Sequence, residues 1–370
     1  MNLKERFFAQ MGHAPKVKVP NFEFGYWDTT LSEWHRQGLP TEINNAAKAY
    51  GYFGIEGIHF AGACAPVGLN LRLIPGFESK KLRTEPDGIE VWTDGDGVTF
   101  AKFMEGQNTI PHYLDYPIKG RMEWEELYRP RLNPLLPGRV PELDWKSIQR
   151  EAAASGKPVF LYLDSYIGYI RNLLGFENFA TLPYDDPGLF EEMVDSLYKI
   201  KEACLDKLSG KIKFDFVHYW EDICYNAGPI ISPDVFENIV VPRMKKINNR
   251  LKDEFGVSYI SLDCDGNFSA LAEGWIESGV NILMPCEVDS GMDILVLQEK
   301  YWNRCGFHGG IQKKALTEGK DAIIKELERV LPAVRKGAYI PHLDHACPSN
   351  VTLENYRFYI NAKREILNCG

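Results

Sequence analysis

Short apolar runs alternate with longer amphipathic stretches in the second half of the chain. The runs occupy residues 159–163, 214–218, 259–262, 282–284, 305–307 and 338–340. Strand, helix, strand at this cadence is typical of βαβ units and a parallel sheet. Six such units predict an α/β fold and most of a (β/α)8 TIM-type barrel, with the remaining strands supplied by the first half. A doubly wound parallel sheet is the competing interpretation.

The first 150 residues have an irregular, aromatic-rich pattern. Two short apolar segments, 90–92 and 98–100, flank the sequence Thr-Asp-Gly-Asp-Gly at residues 93–97. This pattern predicts a β-hairpin, because Asp-Gly supplies the positive φ that a tight turn needs. Residues 111–146 hold six prolines and predict a long surface segment, either a lid or a connection between layers.

These two patterns predict one barrel domain over residues 1–370. Residues 1–150 form its elaborated N-terminal part, with the hairpin and the lid-like segment. Residues 151–370 form the regular βα units. We also consider a homodimer of this domain.

Composition and charge narrow the function classes. The 370 residues are 45% hydrophobic and 25% charged, as in an ordinary globular protein. The 42 Lys and Arg residues are scattered and are outnumbered by 51 Asp and Glu residues, so we expect no nucleic-acid partner. No apolar run has the length of a signal peptide or of a membrane span. We therefore expect a cytoplasmic protein whose eight cysteines are free thiols.

Polar residues that follow the predicted strands are the candidates for chemistry, because the active site of a parallel barrel lies at the carboxyl ends of its strands. Most of them are carboxylates or imidazoles: Asp164, His218, Glu221, Asp222, Asp263, Asp265, Glu287, His308, His342, Asp344 and His345. Such groups converging on one cavity either bind a metal ion or repel each other. No dinucleotide, P-loop or serine-hydrolase motif opens a helix in this sequence.

Each candidate also has a structural alternative. Glu221 and Asp222 could merely cap a helix dipole. Asp263 and Asp265 lie on one side of an extended segment, because side chains alternate with period two, but a surface loop also allows this pattern. The histidines could be packing or surface residues.

Four segments of the second half resemble the uroporphyrinogen decarboxylase superfamily, and more closely its corrinoid-linked methyltransferase branch from anaerobes. They are residues 221–229 with Ser232-Pro233 and Val241-Pro242, residues 263–267, residues 309–311 with Leu316, and residues 337–340 running on to 353–355. The resemblance implies a (β/α)8 barrel. It also implies a role in anaerobic metabolism.

The same resemblance disfavours decarboxylation of a porphyrinogen. The decarboxylase members hold their substrate's carboxylates with closely paired arginines near the N-terminus. Here Arg6 and Arg36 are the only arginines before Arg72. A cavity lined with carboxylates would also repel such a substrate.

In the methyltransferase branch, a His-x-Cys pair and a later Cys hold a zinc ion. The matching positions here are Asp263, Asp265 and His345. Oxygen and nitrogen ligands bind Zn²⁺ less softly than thiolates and suit activation of an oxygen. The resemblance therefore implies that a small O-methyl compound gives its methyl group to a corrinoid carried by a partner protein.

We assign roles on this basis. The predicted metal ligands, which either hold Zn²⁺ or protonate the leaving oxygen, are Asp263, Glu287, His308 and His345. The predicted catalytic residues are Glu221, Asp222, Asp263 and Asp265. The predicted substrate-binding residues, which would form an apolar pocket, are Tyr26, Trp27, Tyr166 and Trp220.

Two rival functions stay open. A carboxy-lyase acting on a small acid would need cationic anchors, and Arg171 or Lys313-Lys314 could supply them. A non-catalytic binding protein on a barrel fold is the other rival.

Overall fold

The computed structural model describes residues 1–14, 16–57, 65–102 and 111–370. Within these residues the strands, in chain order, are β1 (Ala65–Val67), β2 (Lys80–Thr84), β3 (Glu90–Thr93), β4 (Thr99–Lys102), β5 (His112–Asp115), β6 (Val159–Tyr162), β7 (Phe216–Trp220), β8 (Cys224–Tyr225), β9 (Gly228–Pro229), β10 (Tyr259–Asp263), β11 (Ile282–Met284), β12 (Gly306–Ile311) and β13 (Tyr339–Leu343).

The helices of the same residues are α1 (Leu3–Met11), α2 (Asp28–Arg36), α3 (Ala46–Phe53), α4 (Arg121–Glu123), α5 (Trp145–Ser155), α6 (Gly168–Leu174), α7 (Phe176–Asp185), α8 (Pro187–Leu208), α9 (Pro233–Val235), α10 (Val241–Phe255), α11 (Ala272–Glu277), α12 (Ile294–Lys300), α13 (Ala315–Glu318), α14 (Lys320–Lys336) and α15 (Leu353–Leu367). Wider π turns at Trp124–Tyr128 and Phe236–Val240 continue α4 and α9, and 3₁₀ turns lie at Arg129–Leu132 and Val288–Ser290.

A seven-stranded parallel sheet forms the centre of the molecule. Its strand order is β1-β6-β7-β10-β11-β12-β13, and each neighbouring pair is parallel. All six apolar runs of the second half fall on strands of this sheet, so the predicted α/β fold is confirmed. The strands follow one another in chain order without the reversal of a doubly wound sheet, which is the order of a (β/α)8-type barrel.

The segment 21–26 lies between the two edges of this sheet. Glu23 N donates a hydrogen bond to the carbonyl oxygen of Gly57, which precedes β1, at 3.1 Å. Cys347, which follows β13, donates its N–H to the carbonyl oxygen of Gly25 at 2.9 Å. Within the described residues no continuous ladder closes the ring, and this segment spans the interval between its edges.

Helix α1 covers the amino end of the barrel. Its first turn is fixed by a capping box, in which the Asn2 side chain and the Glu5 side chain each accept the other's backbone N–H. Its apolar face packs on a buried cluster from the barrel interior, which comprises Phe7, Met11, Phe22, Phe160, Phe216, Ile282 and Ile340. The carboxyl end of the strands is therefore the end at which a site can open.

The predicted hairpin is confirmed as β3 and β4, which pair antiparallel. It belongs to a four-stranded sheet with the order β2-β3-β4-β5. The carboxylate of Asp94 accepts hydrogen bonds from the backbone N–H groups of Asp96 and Val98, both at 2.9 Å, and so fixes the turn.

Residues 111–146 are more regular than the proline content predicts. They contain β5 and a helical stretch that begins with α4. Trp124, Tyr128 and Leu132 recur at helical spacing in this stretch and are buried. The apolar stripe thus outweighs the prolines, because burying three large side chains favours a helix packed on the barrel.

Two further predictions concern cysteines and membranes. The seven described cysteines, Cys204, Cys224, Cys264, Cys286, Cys305, Cys347 and Cys369, are free thiols as predicted. Cys64 lies outside the described residues. The described part of the chain has no helix long and apolar enough to cross a membrane.

Candidate functional site

A cavity of about 360 Å³ opens at the carboxyl end of the parallel strands. Its aromatic walls are Phe24, Tyr26, Trp27, Tyr50 and Trp220, and its polar groups are Asp263, Asp265 and His345. Because these residues come from both halves of the sequence, the folded barrel is needed to assemble them. A pocket of this volume suits a small molecule.

His345 and Asp265 form a hydrogen-bonded pair in this cavity. Nε2 of His345 lies 3.1 Å from Oδ2 of Asp265. The imidazole stacks on Trp27 with ring centroids 5.6 Å apart, and its centroid lies 4.9 Å from that of Phe24. Burial lowers the pKa of His345. The hydrogen bond and the charge of Asp265, together with the charge of Glu287, raise this pKa by more, so the pKa of His345 lies above its ordinary value. The pair therefore favours a protonated imidazole.

Asp263 ends β10 and presents a buried carboxyl group to the cavity. Only 8% of the residue is exposed, and among the described residues none donates a hydrogen bond to its carboxylate. Burial and the charges of Asp265, Asp222 and Glu287 raise the pKa of Asp263 well above its ordinary value. This carboxyl group is available to a bound molecule.

Asp222 supports the loop that carries Asp265. Its Oδ1 accepts the backbone N–H of Asp265 at 3.1 Å, and its Oδ2 lies 3.7 Å from Nη2 of Arg171. Burial and the charge of Asp265 raise the pKa of Asp222 to about 6. Asp222 also has a φ of +47°, a conformation that costs energy for a residue with a Cβ and that recurs at functional sites.

Glu221, predicted among the catalytic residues, contacts the start of α6 and not the cavity. Its carboxylate accepts hydrogen bonds from the Ser165 hydroxyl at 2.9 Å and from the backbone N–H groups of Tyr166, Ile167 and Gly168 at 2.8, 3.0 and 2.9 Å. Burial raises the pKa of Glu221, and these four bonds oppose the rise. The helix-capping alternative describes this geometry, so Glu221 is a positioning residue for the loop before α6.

Glu287 joins three loops at the rim of the site. Its Oε1 accepts the backbone N–H of Gly266 at 3.0 Å, and its Oε2 lies 3.4 Å from Nζ of Lys313. The backbone N–H of Lys313 donates to Asp344 at 3.0 Å. Lys313 therefore partly neutralises Glu287 and Asp344, and the network fixes the loop after β10.

The four predicted metal ligands are not brought to one point. His308 is fully buried deeper in the barrel, where its ring centroid lies 6.0 Å from that of Phe7. Glu287 is engaged by Gly266 and Lys313. Among the residues that the structure describes, no three His, Cys, Asp or Glu side chains form a group that could hold a metal ion. This arrangement does not fit the predicted zinc ion.

Three of the four predicted substrate-binding residues, Tyr26, Trp27 and Trp220, line the cavity. Tyr166 is not among the residues that line it. It is fully buried between the barrel and the helices, with its ring 5.9 Å from that of Tyr219 and 4.4 Å from Nζ of Lys201. Its backbone is held at the start of α6, which places the side chain in the helix layer.

Phe24 and Tyr50 line the cavity without having been predicted. Phe24 alternates with Phe22 and Tyr26, a period of two that marks an extended segment and could have placed it beside Tyr26. Tyr50 lies on α3, and its ring centroid is 5.6 Å from that of Tyr26. Only the packing of α3 on the mouth brings it there, so no local pattern indicates it.

An ion pair between Arg72 and Asp164 connects the β3–β4 hairpin to the carboxyl end of the barrel strands. Nε of Arg72 donates to Asp164 at 2.8 Å, and its Nη1 lies 3.7 Å from Asp96 in the hairpin turn. The Tyr169 hydroxyl donates to Asp96 at 2.6 Å. The elaborated N-terminal part is therefore fastened to the same end of the barrel as the cavity.

Comparison with known proteins adds a family and a fold. The profile of the family described as Uroporphyrinogen decarboxylase (URO-D) matches residues 165–366. No curated protein matches the chain. A solved structure of a methyltransferase from Methanosarcina mazei is similar over 99% of both chains, with 16% identity and a TM-score of 0.58. At this identity the likeness shows the fold alone.

A second solved structure shares less. It is a B12-independent methionine synthase from Shewanella sp. W3-18-1, similar over 62% of this chain and 67% of that chain, with 14% identity and a TM-score of 0.38. A likeness this low carries no argument about the present chain.

Proposed function

This chain belongs to the uroporphyrinogen decarboxylase family, and from that premise we propose that it is the substrate-specific methyltransferase of a corrinoid-dependent system. It moves a methyl group from a small O-methyl compound to a corrinoid carried by a partner protein. The observation that supports this proposal is the His345–Asp265 pair beside Asp263 in an aromatic-walled cavity.

The reaction needs a proton donor, because an alkoxide is a poor leaving group. As the bond between methyl carbon and oxygen breaks, its electron pair stays on the oxygen, and the acceptor supplies the pair for the new bond to carbon. Asp265 accepts a hydrogen bond from the Nε2–H of the His345 imidazolium, which leaves Nδ1–H to protonate the departing oxygen. Trp27 and Phe24 pack against the His345 imidazole and so fix the orientation of its ring for this transfer.

The proposal is tested with free cob(I)alamin as the acceptor and a panel of small methyl ethers. We expect methylcobalamin and the demethylated alcohol in equal amounts. His345→Gln should lower the rate by about 10²–10⁴-fold, the usual contribution of a general acid. The exposed histidine variant His112→Gln is the matched control and should retain full activity. Absence of methyl transfer to cobalamin from every ether would contradict the proposal.

Zinc remains a prediction from the family resemblance. Metal analysis of protein purified without chelator tests it, together with a metal-edge fluorescence scan. Stoichiometric zinc would mean that Asp263, Asp265 and His345 move together when the ion binds. The proton transfer proposed above does not depend on that outcome.

A carboxy-lyase acting on a small acid is the second candidate, since the matching family profile is named for a decarboxylase. Both predicted anchors lie at the site, but each already faces a carboxylate: Lys313 is 3.4 Å from Glu287, and Arg171 is 3.7 Å from Asp222. A substrate carboxylate would have to displace these partners. Release of carbon dioxide from an acid without any corrinoid would favour the lyase.

A further inference from the structure

The cavity holds one carboxyl group that no positive group in the described part of the chain neutralises. The Asp265 carboxylate pairs with His345, whose Nε2 lies 3.1 Å from Oδ2 of Asp265. Asp263 has no ion-pair partner among the described residues, although it is more than nine-tenths buried and lines the cavity. Ionising a carboxyl group buried in this way is costly, and a cationic ligand beside it would stabilise the charged form.

The other charged groups around the cavity do not neutralise the Asp263 carboxylate. Asp222 lies 3.7 Å from Arg171, so these two charges offset each other. Lys313 lies 3.4 Å from Glu287 and 3.5 Å from Asp344, so a single cation serves two carboxylates. The surroundings of Asp263 are therefore net negative, and a positively charged ligand is favoured there.

The walls indicate what kind of cation fits. A metal ion needs several donors at one point, and the described residues offer no group of three. The cavity instead has aromatic walls, which include Phe24 and the pair Tyr26 and Tyr50, whose ring centroids lie 5.6 Å apart, while Trp220 on its wall already faces the Arg171 guanidinium at 5.8 Å. Aromatic faces beside a carboxylate are the surroundings that bind alkylated ammonium groups, whose charge is spread and weakly hydrated.

We propose that the methyl donor is itself an organic cation, whose alkylated ammonium group lies against Asp263 between the aromatic walls. This inference rests on the proposed function, because it names the substrate class of the same site. The ammonium end is bound by Asp263, and the ether oxygen at the other end reaches His345. The cavity, at about 360 Å³, has room for one small molecule of this kind.

Binding without turnover tests the inference. Choline and its neutral isostere, in which a tert-butyl group replaces the trimethylammonium group, have the same shape and differ in charge. Isothermal titration of the full-length protein should show that choline binds at least roughly tenfold more tightly, which is about 1.4 kcal/mol. Equal affinities, tighter binding of the isostere, or no choline binding would overturn the inference.

Asp263→Asn removes the charge and keeps the shape of the side chain. We expect this variant to lose the preference for choline over the isostere, while the exposed control Asp253→Asn keeps it. Retention of the full preference in Asp263→Asn would overturn the assignment to Asp263. If this variant does not fold, the comparison of the two ligands on the wild-type protein still decides. Since no acceptor is present, a failure of methyl transfer leaves this result unaffected.

Discussion

Glu221→Ala should destabilise the protein through the loop before α6 and not through the cavity. The Glu221 carboxylate accepts four hydrogen bonds, three of them from backbone N–H groups, and the residue is fully buried. Alanine leaves these donors without an acceptor. Lys201, which donates to the carbonyl oxygen of Ser165 at 2.6 Å, would also lose a fixed partner as the loop relaxes.

The magnitude follows from the four donors. A buried donor left unpaired costs about 1–3 kcal/mol, so at the lower limit the loss is about 4 kcal/mol. Unfolding entropy scales at about 2.1 cal/mol/K per residue, so for a chain of this length the melting temperature should fall by about 5 °C. Such a loss is a large part of the roughly 5–15 kcal/mol that stabilises a domain.

Thermal unfolding followed by circular dichroism measures this effect. Glu221→Gln keeps one acceptor oxygen and should lose less stability than Glu221→Ala. Glu237→Ala, which removes an exposed carboxylate, is the matched control and should melt with the wild-type protein. A melting temperature of Glu221→Ala within about 1 °C of the wild-type value would refute the reasoning.

Two further outcomes follow from the charged groups. The rate of methyl transfer should fall as pH rises through the raised pKa of His345, because the donor loses its proton above that pKa, and Asp265→Asn should move this falling limb to lower pH in a profile of kcat/KM. A falling limb at the same pH in Asp265→Asn would mean that the His345–Asp265 pair does not control the rate. Lys363→Met should cost about 3–5 kcal/mol in urea unfolding, because it leaves the Glu23 carboxylate buried without its cation at 2.7 Å. Addition of Glu23→Gln should recover part of this loss, and equal stability of the single and double variants would contradict the explanation.

Six of the seven strands of the parallel sheet were predictable because each of them is an apolar run between amphipathic helices, whereas β1 is a short segment of the first half. The same pattern placed Trp220, Asp263, Asp265 and His345 at the ends of strands, and all four line the cavity. The position of a residue after a strand does not, however, show in which direction its side chain points.

Glu221 is a residue whose side-chain direction was not predicted. Side chains alternate along a strand, so Trp220 points to the barrel interior while Glu221 shares the outer face with Tyr219. Period two would have assigned Glu221 to the helix layer from sequence. Tyr50 is different, because its place depends on how α3 packs against the mouth, and no local pattern carries that information.

The cavity is assembled from two separate stretches of chain. Trp220 and the acid and imidazole groups lie inside residues 165–366, the part that the family profile matches, whereas Phe24, Tyr26, Trp27 and Tyr50 precede it. Relatives can thus inherit the same proton chemistry and still accept different molecules. A chimera that exchanges only residues 21–50 between two relatives should transplant substrate preference and leave the reaction type intact.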